Sequence, residues 1–469
     1  MTDSARNTIS ESMPLQSREM LYSILERALG AEKAAVCLPE FSLPATVSVR
    51  CNPEKVDSPE NELQLLEIKK VSSWCEWGRD LSSRPVFTLD PLFHAGCYYV
   101  QDSSAMFPGM VFRKELAAIH AERLGRPLRV LDLCAAPGGK STDLASSLRN
   151  CLGDNFILVS NEVMKARASV LADNMALWGD PNVVITSCDP AAFASLEGFF
   201  DIILADVPCS GEGMFRKDAR AREDWSPELV ELCAARQKRI LADVWPSLCD
   251  GGILVYSTCT FSQEENEGVI SAFLSSHPDF EAVDIKEEFG RPAKISCGVR
   301  ITPIEKGEGH FAAKLRKKRE SDSGFFRVQC KQKADRQLSD LQKELGNILN
   351  ELPEGQLSLV KDKVLLLPEM MPDITGPGVL RAGVLMGEMK KQRFEPAHAL
   401  FMAVPPKYFK RVLSLSADDI RVREFLQGYE IDCDTGNGYT AVAVSGLTLG
   451  FGKCSGGRLK NKYPKGLRI

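Results

Sequence analysis

The sequence predicts an α/β protein, with a mostly parallel sheet at its centre, an α+β region before it and a β-rich module after it. Three observations carry this. Residues 121–320 alternate short, almost wholly apolar runs with segments of helical periodicity, the pattern of strands buried on both faces and their crossover helices. Residues 1–120 mix a helical stretch, LQSREMLYSILERAL, with short strand-like runs such as TVSVRC. Residues 354–469 are rich in strand-like runs (GQLSLVKDKVLLLP, YTAVAVSGLTLGF) punctuated by Gly and Pro, and read as a small separate module. Residues 321–353 lie between. Here the charged stretch KKRESDSG leads into a linker, and a helix follows with apolar residues at Leu338, Leu341, Leu345, Ile348 and Leu352.

The central elements follow in order. RVLDL (129–133) is a buried strand that breaks into CAAPGGK, with a helix from about Ser141. FILVSN (156–161) is the second strand, and Glu162 stands directly after it. VVITS (183–187) is the third, followed by Cys188 and Asp189, and DIILADV (201–207) is the fourth, ending in PCSG. Ser226-Pro227-Glu228 has the order of a helix start: a capping serine, proline in the first turn and an early acid. That helix runs toward Gly251-Gly252, where GGILVYST forms a fifth strand ending at Cys259. Ligands of such sheets bind beyond the carboxyl ends of the strands, where every distinctive polar residue named here falls.

Composition narrows the function. A length of 469 residues exceeds one ordinary core, so two to four domains are expected. No apolar run approaches the roughly eighteen residues that suggest a membrane span. The polar start MTDSARNTISESMPLQ lacks a signal-peptide core, which points to a cytoplasmic protein. The fifteen cysteines are scattered singly with no CxxC pair, which fits reduced thiols rather than a disulfide framework or zinc ribbon. With five histidines and no ligand spacing, no metal site is expected. The net charge of −5 does not mark a nucleic-acid binder, yet the last nineteen residues hold six basic residues and no acid. A second basic run spans Lys314 to Arg319. Both are candidates for phosphate contacts.

The glycine turn between first strand and helix (Cys134, Ala135, Ala136, Pro137, Gly138, Gly139, Lys140) lets a ligand approach the backbone. Glu162 is placed for a ribose diol. That pair also suits a nicotinamide dinucleotide. Two details favour S-adenosylmethionine: the turn lacks the full GxGxxG pattern, and Asp189 and Asp206 suit an adenine amine and a cationic sulfonium or amino group where a pyrophosphate would be repelled. Two adjacent strand ends also carry cysteines, Cys209 and Cys259. Carbon 5 of cytosine is a poor nucleophile, and a thiolate adding at carbon 6 makes it reactive toward a sulfonium methyl. Asp206 is the candidate acid near ring nitrogen 3, and Lys140 the candidate to activate the thiol. Spacing alone leaves open which cysteine attacks.

LDLCAAPGGKS, NEVMKARASVLADN, DVPCSGEGMFRKD and YSTCTFSQEENE, in that order, resemble the motifs of the Sun-type (NOP2-like) RNA cytosine-C5 methyltransferases. GEGHFAAKL resembles a later strand of that family, in which Phe often stands at the position of His310. PLFHAGCYYVQDSSAMFP resembles the segment leading into the catalytic domain. RFEPAHAL and GKCSGGRLKNKYPKGLR resemble the C-terminal PUA-like module of bacterial small-subunit rRNA methyltransferases. The resemblance implies a Rossmann-like catalytic domain using S-adenosylmethionine. It further implies Cys259 as nucleophile and Cys209 in product release, with Cys134 to Lys140, Glu162, Asp189 and Asp206 at the cofactor. Arg216 and Lys217 become candidate contacts to an RNA backbone. The implied substrate is structured RNA, 16S rRNA or the 30S subunit, bound by a monomer. The same reaction on tRNA or large-subunit rRNA, and a non-catalytic ribosome-assembly factor, are the alternatives.

Overall fold

The computed structural model describes residues 15–122, 126–285, 290–319, 337–368, 371, 374, 377–390 and 393–469. Most of the expected linker therefore lies outside the described residues. The central sheet is built from β1 (Leu128–Asp132), β2 (Phe156–Asn161), β3 (Val183–Thr186), β4 (Phe200–Asp206), β5 (Leu248–Thr258), β6 (Gly298–Ile301) and β7 (His310–Lys317). Across the sheet the order is β6-β7-β5-β4-β1-β2-β3. β1 to β5 are parallel, whereas β7 runs antiparallel to β5 and to β6. The expected Rossmann-like arrangement is present, and its order reverses between β1 and β4, where such sheets open a ligand crevice.

Strand periodicity explains the two-sided core. Val130 faces one apolar cluster with Leu158, Ile185 and Ile202, while its neighbour Leu131 faces the other with Val159, Val184 and Ile203. Helices α1 (Gly139–Leu152) and α2 (Lys165–Trp178) cover the first face, through Leu144, Leu148, Leu171 and Met175. Helices α3 (Pro227–Val244) and α4 (Glu267–Ser276) cover the second, through Ile240, Leu241, Val244 and Ile270. The start of α3 is the one expected: the Leu229 N–H donates to Oγ of Ser226 at 3.1 Å, and Pro227 opens the helix.

Flanking regions close round this sheet. The N-terminal helix Leu15–Leu29 and the helix Ala31–Cys37 pack on Phe215 and Phe261, which lie in the loops after β4 and β5. A four-stranded antiparallel sheet (Ser48–Cys51, Ile68–Ser72, Cys75–Leu81, Tyr98–Val100) follows. The residues after 354 form two sheets rather than one, four strands within Gln356–Pro396 and five within Val412–Asn461. The latter is not separate from the N-terminal region: Val49, Cys51 and Tyr98 share one buried cluster with Leu413, Phe425 and Leu459. The strand Val379–Ala382 pairs with β3 and extends the central sheet at that edge. The helix expected to reach Leu352 spans Gln337–Leu345 and stops before Gly346, the residue least favourable to its continuation after proline. Ile348 stays buried in the turn beyond, and Leu352 is exposed. No helix among the described residues is long and apolar enough to cross a membrane.

Candidate active site

The glycine turn, Glu162, Asp189, Asp206 and both cysteines converge at the carboxyl ends of β1 to β5, as their positions after the strands required. α1 opens at Gly138, whose φ of 118° is a left-handed conformation open to glycine, and no side chain caps the helix. Its first N–H groups are left to a ligand. Gly139 has no room to spare either, because a Cβ there would come within 3.3 Å of the Tyr99 ring. Arg50, fully buried, donates from Nη2 to the Gly139 carbonyl at 3.0 Å and from Nε to Oε1 of Gln101 at 2.9 Å. The N-terminal sheet thus braces the turn from behind.

Asp132, at the end of β1, accepts from Oγ of Ser141 at 2.7 Å, while its Oδ1 is buried with no partner. Burial, with Asp206 nearby, pushes its carboxyl up to about 7 against the Ser141 bond. Glu162 is buried at the end of β2. Its Oε1 accepts from the Met164 N–H at 2.9 Å and its Oε2 faces Arg167 at 3.0 Å. Asp189 caps the short helix Pro190–Leu196, taking the Ala191 N–H at 3.1 Å, and lies 3.4 Å from Arg239. An uncapped helix start, an orphaned carboxyl oxygen and acids at three successive strand ends fit an amino acid joined to a nucleoside and carrying positive charge.

Asp206 is the most heavily engaged acid. Its Oδ2 pairs with Nζ of Lys140 at 2.7 Å, and its Oδ1 accepts from Oγ of Ser257 at 2.7 Å. Nε2 of His310, at the start of β7, lies 3.5 Å from Oδ1. Burial alone would raise this carboxyl, but Lys140 and His310 outweigh it and hold it well below the usual carboxylate range. Asp206 is thereby held toward its ionised form, with the Lys140 ammonium beside it as the proton-bearing partner. Lys140 is bound to Asp206 rather than to a thiol, although the Cys259 sulfur is near enough to help keep the ammonium charged.

The two sulfurs, Cys209 after β4 and Cys259 after β5, are 3.2 Å apart and partly exposed. The hydrogen bond to Cys259 and burial both push the Cys209 thiol well up.

Two glutamates that the sequence reading passed over hold these loops together. Glu212, fully buried, takes the Trp225 indole N–H at 2.8 Å, the Ser262 hydroxyl at 2.7 Å and the Phe261 N–H at 3.1 Å. Glu265 takes the Ser210 N–H at 3.0 Å and the Gln237 amide at 2.7 Å, and burial pushes it up to about 7. The Gly213 N–H donates to the Cys259 carbonyl at 2.8 Å. Both acids stand within the quoted motifs, SGEGM and FSQEEN. Only the pairing of loops about fifty residues apart shows what they hold, and a single sequence does not print that pairing.

Several expected RNA contacts are otherwise engaged. Arg216 is buried against Glu308, donating at 2.5 and 2.6 Å, and Lys217 pairs with Asp102. The basic run Lys314–Arg319 lies on and just past β7 and meets acids from its neighbours. Lys314 pairs with Glu115 at 2.6 Å, Lys317 with Asp250 at 3.4 Å, and Arg319 with Glu122. By contrast Lys460, Lys462 and Lys465 of the last nineteen residues are exposed and without an ion pair among the described residues. No cluster able to hold a metal occurs among the described residues.

Comparison with known proteins identifies this arrangement. Residues 125–316 match the family model "16S rRNA methyltransferase RsmB/F". Residues 22–103 match the N-terminal domain of 16S rRNA methyltransferase RsmF, 342–404 its first C-terminal domain and 412–469 its PUA domain. The chain is 31% identical over 452 residues to ribosomal RNA small subunit methyltransferase F of Aeromonas salmonicida, covering 90% of this chain and 91% of the relative. It is 31% identical over 456 residues to the protein of that name from Vibrio cholerae, with 90% and 91% covered. Among solved structures, a methyltransferase homologue from Pyrococcus horikoshii superposes with a TM-score of 0.52 at 25% identity, over 65% of this chain and 100% of that one. NSun6 from the same organism, solved with the S-adenosylmethionine analogue SFG, superposes with a TM-score of 0.51 at 20% identity, over 64% and 98%. The chain belongs to the RsmB/F family and is an S-adenosylmethionine-dependent RNA methyltransferase.

Proposed function

We propose that this enzyme methylates carbon 5 of a cytosine in 16S rRNA through a covalent bond between Cys259 and carbon 6 of the base. The observation that carries the reading is the pair of thiols 3.2 Å apart at the ends of β4 and β5, beside the ionised Asp206. When bound, S-adenosylmethionine supplies an electrophilic methyl group. Gly138 and Gly139 would receive its carboxylate, Glu162 the ribose, and Asp189 the adenine amine, with Cys134 to Pro137 and Asp206 completing the pocket.

The chain's own groups divide the remaining work. The Cys259 thiol gives up its proton to solvent, and the Cys209 sulfur 3.2 Å away lies within hydrogen-bond reach of the thiolate so formed. Cys259 adds to carbon 6, and the electron pair of the carbon 5–carbon 6 double bond becomes available at carbon 5. The Asp206 carboxylate accepts the N–H of the exocyclic amine, and Lys140 beside it supplies the positive charge and proton that ring nitrogen 3 needs as negative charge builds there. After methylation the ring nitrogen 3 proton returns to Lys140, and the carbon 5 proton passes to the Cys209 sulfur, which has first given its own proton to solvent; the C–H electron pair restores the double bond and expels the Cys259 thiolate. The base reaches this recessed site only when unstacked. Exposed lysines of the PUA domain hold the RNA by its phosphates.

Incubation with tritiated S-adenosylmethionine and, separately, 30S subunits, naked 16S rRNA and tRNA tests the reading. Label in 5-methylcytosine of 16S rRNA, on the free rRNA or in the subunit, is expected. Label confined to tRNA would overturn the substrate and keep the chemistry, and binding of cofactor without transfer to any RNA would favour an assembly factor.

A further inference from the structure

The geometry points to His310 as a positioning residue for Asp206: its neutral imidazole directs Nε2–H at Oδ1 and adds a third hold on the carboxylate that meets the target base. The inference rests on the proposed cytosine chemistry and deepens it.

His310 is buried, yet its Nε2 closes no hydrogen bond among the described residues, and Asp206 Oδ1 at 3.5 Å faces it. Such a group is costly to bury unless it acts on something close. The fold places it there deliberately. β7 runs antiparallel to β5, so its first residue stands at the edge where the parallel strands end, beside Asp206. The approach is packed tight. A Cβ on Gly309 would come within 2.5 Å of the Phe261 ring, one on Gly307 within 2.5 Å of Ile301, and Glu308 between them is tied to Arg216. The imidazole has little room to turn away.

Three charged groups face the ring: Asp206 at the end of β4, Lys140 on α1, and Asp102 beyond the strand Tyr98–Val100, itself paired with Lys217. Burial and the Lys140 charge lower the affinity of His310 for a second proton, against the pull of Asp206 and Asp102. A neutral ring carries one N–H, and the carboxylate calls for it on Nε2. Asp206 is then met from three elements: Lys140 pairs with Oδ2, Ser257 donates to Oδ1, and Nε2 of His310 faces Oδ1 at 3.5 Å. Ser257 and Lys140 already hold one oxygen each, so the ring adds a third hold that resists displacement of the carboxylate when the base binds.

Two variants and one direct readout test this. His310→Phe keeps volume and loses the donor, whereas His310→Gln keeps a donor near the position of Nε2. Asp206 positioning predicts that kcat falls about tenfold or more in His310→Phe, with KM for S-adenosylmethionine little changed, and is largely restored in His310→Gln. A packing role predicts the reverse order. In parallel, ¹⁵N NMR of histidine-labelled wild type, with five histidines to assign, reads the ring directly. An Nε2–H tautomer at pH 7.5 that shifts in Asp206→Asn is expected. An Nδ1–H tautomer, or full activity in His310→Phe, would overturn the inference. If the wild type methylated no RNA, the functional reading would fall while the tautomer still decided the His310–Asp206 contact.

Discussion

At the carboxyl end of the central sheet, lysines, acids and thiols are packed together and partly shielded from water, and most of the charges have a partner. Lys140 is bound to Asp206, Arg216 to Glu308 and Lys217 to Asp102. On the last two strands and just past them the lysines stand in solvent without an acid partner among the described residues: Lys460, Lys462 and Lys465 are exposed, and Lys453 lies over the Tyr439 ring. The same residue type does two jobs. A desolvated, paired lysine sets the charge of a neighbour at short range, where the local dielectric makes each interaction large. A solvated, unpaired one offers a screened attraction to phosphate that adds up over several residues and weakens with salt.

The comparison can be broken in order of expected effect. Cys259→Ala removes the nucleophile, and methyl transfer is expected to fall by more than about a thousandfold in a tritium-transfer assay, with RNA binding retained. Lys140→Met comes next. Asp206 with its lowered pKa is ionised at neutral and mildly acidic pH, and it protonates only when pH falls below the usual carboxylate range. Removing Lys140 leaves the burial that raises the pKa and takes away the main charge that lowers it. The carboxyl then gains its proton at higher pH. The acidic limb of the kcat profile should move upward, and kcat at neutrality should drop roughly ten- to a hundredfold.

Smaller effects sharpen the contrast. Replacing Lys460, Lys462 and Lys465 together by Gln should weaken rRNA binding and reduce the salt dependence of log K by about two to three, leaving kcat at saturating RNA unchanged. Lys317→Gln, which removes a charge already held by Asp250, should leave RNA affinity and its salt slope as they are. Fluorescence titrations at several salt concentrations read both. An equal loss in the two variants would mean that pairing does not decide which lysines meet RNA.

Much of this was legible in the sequence because parallel strands buried on both faces read as continuous apolar runs, and their polar ends follow directly. FILVSN and DIILADV mark β2 and β4 within a residue, and Glu162 and Asp206 fall at their ends. Ser226-Pro227 marked the start of α3 through local chemistry alone. Charge runs were less legible, because Lys314 to Arg319 and Arg216 find acids that are distant in sequence. The two glutamates that hold the cysteine loops, and the place of His310 beside Asp206, depend on which strands become neighbours. The shared core between Val49, Tyr98, Leu413 and Leu459 joins the two ends of the chain, and strand-level periodicity carries no trace of it.

The division of labour between the two thiols is tested most directly by trapping. Cys209→Ala, Cys259→Ala and the double variant would each be incubated with S-adenosylmethionine and the RNA that accepts label, then run on denaturing gels. A covalent protein–RNA band in Cys209→Ala that is absent from the double variant is predicted, since Cys259 can attack but release is slowed. A band in Cys259→Ala and none in Cys209→Ala would contradict the assignment and make Cys209 the nucleophile.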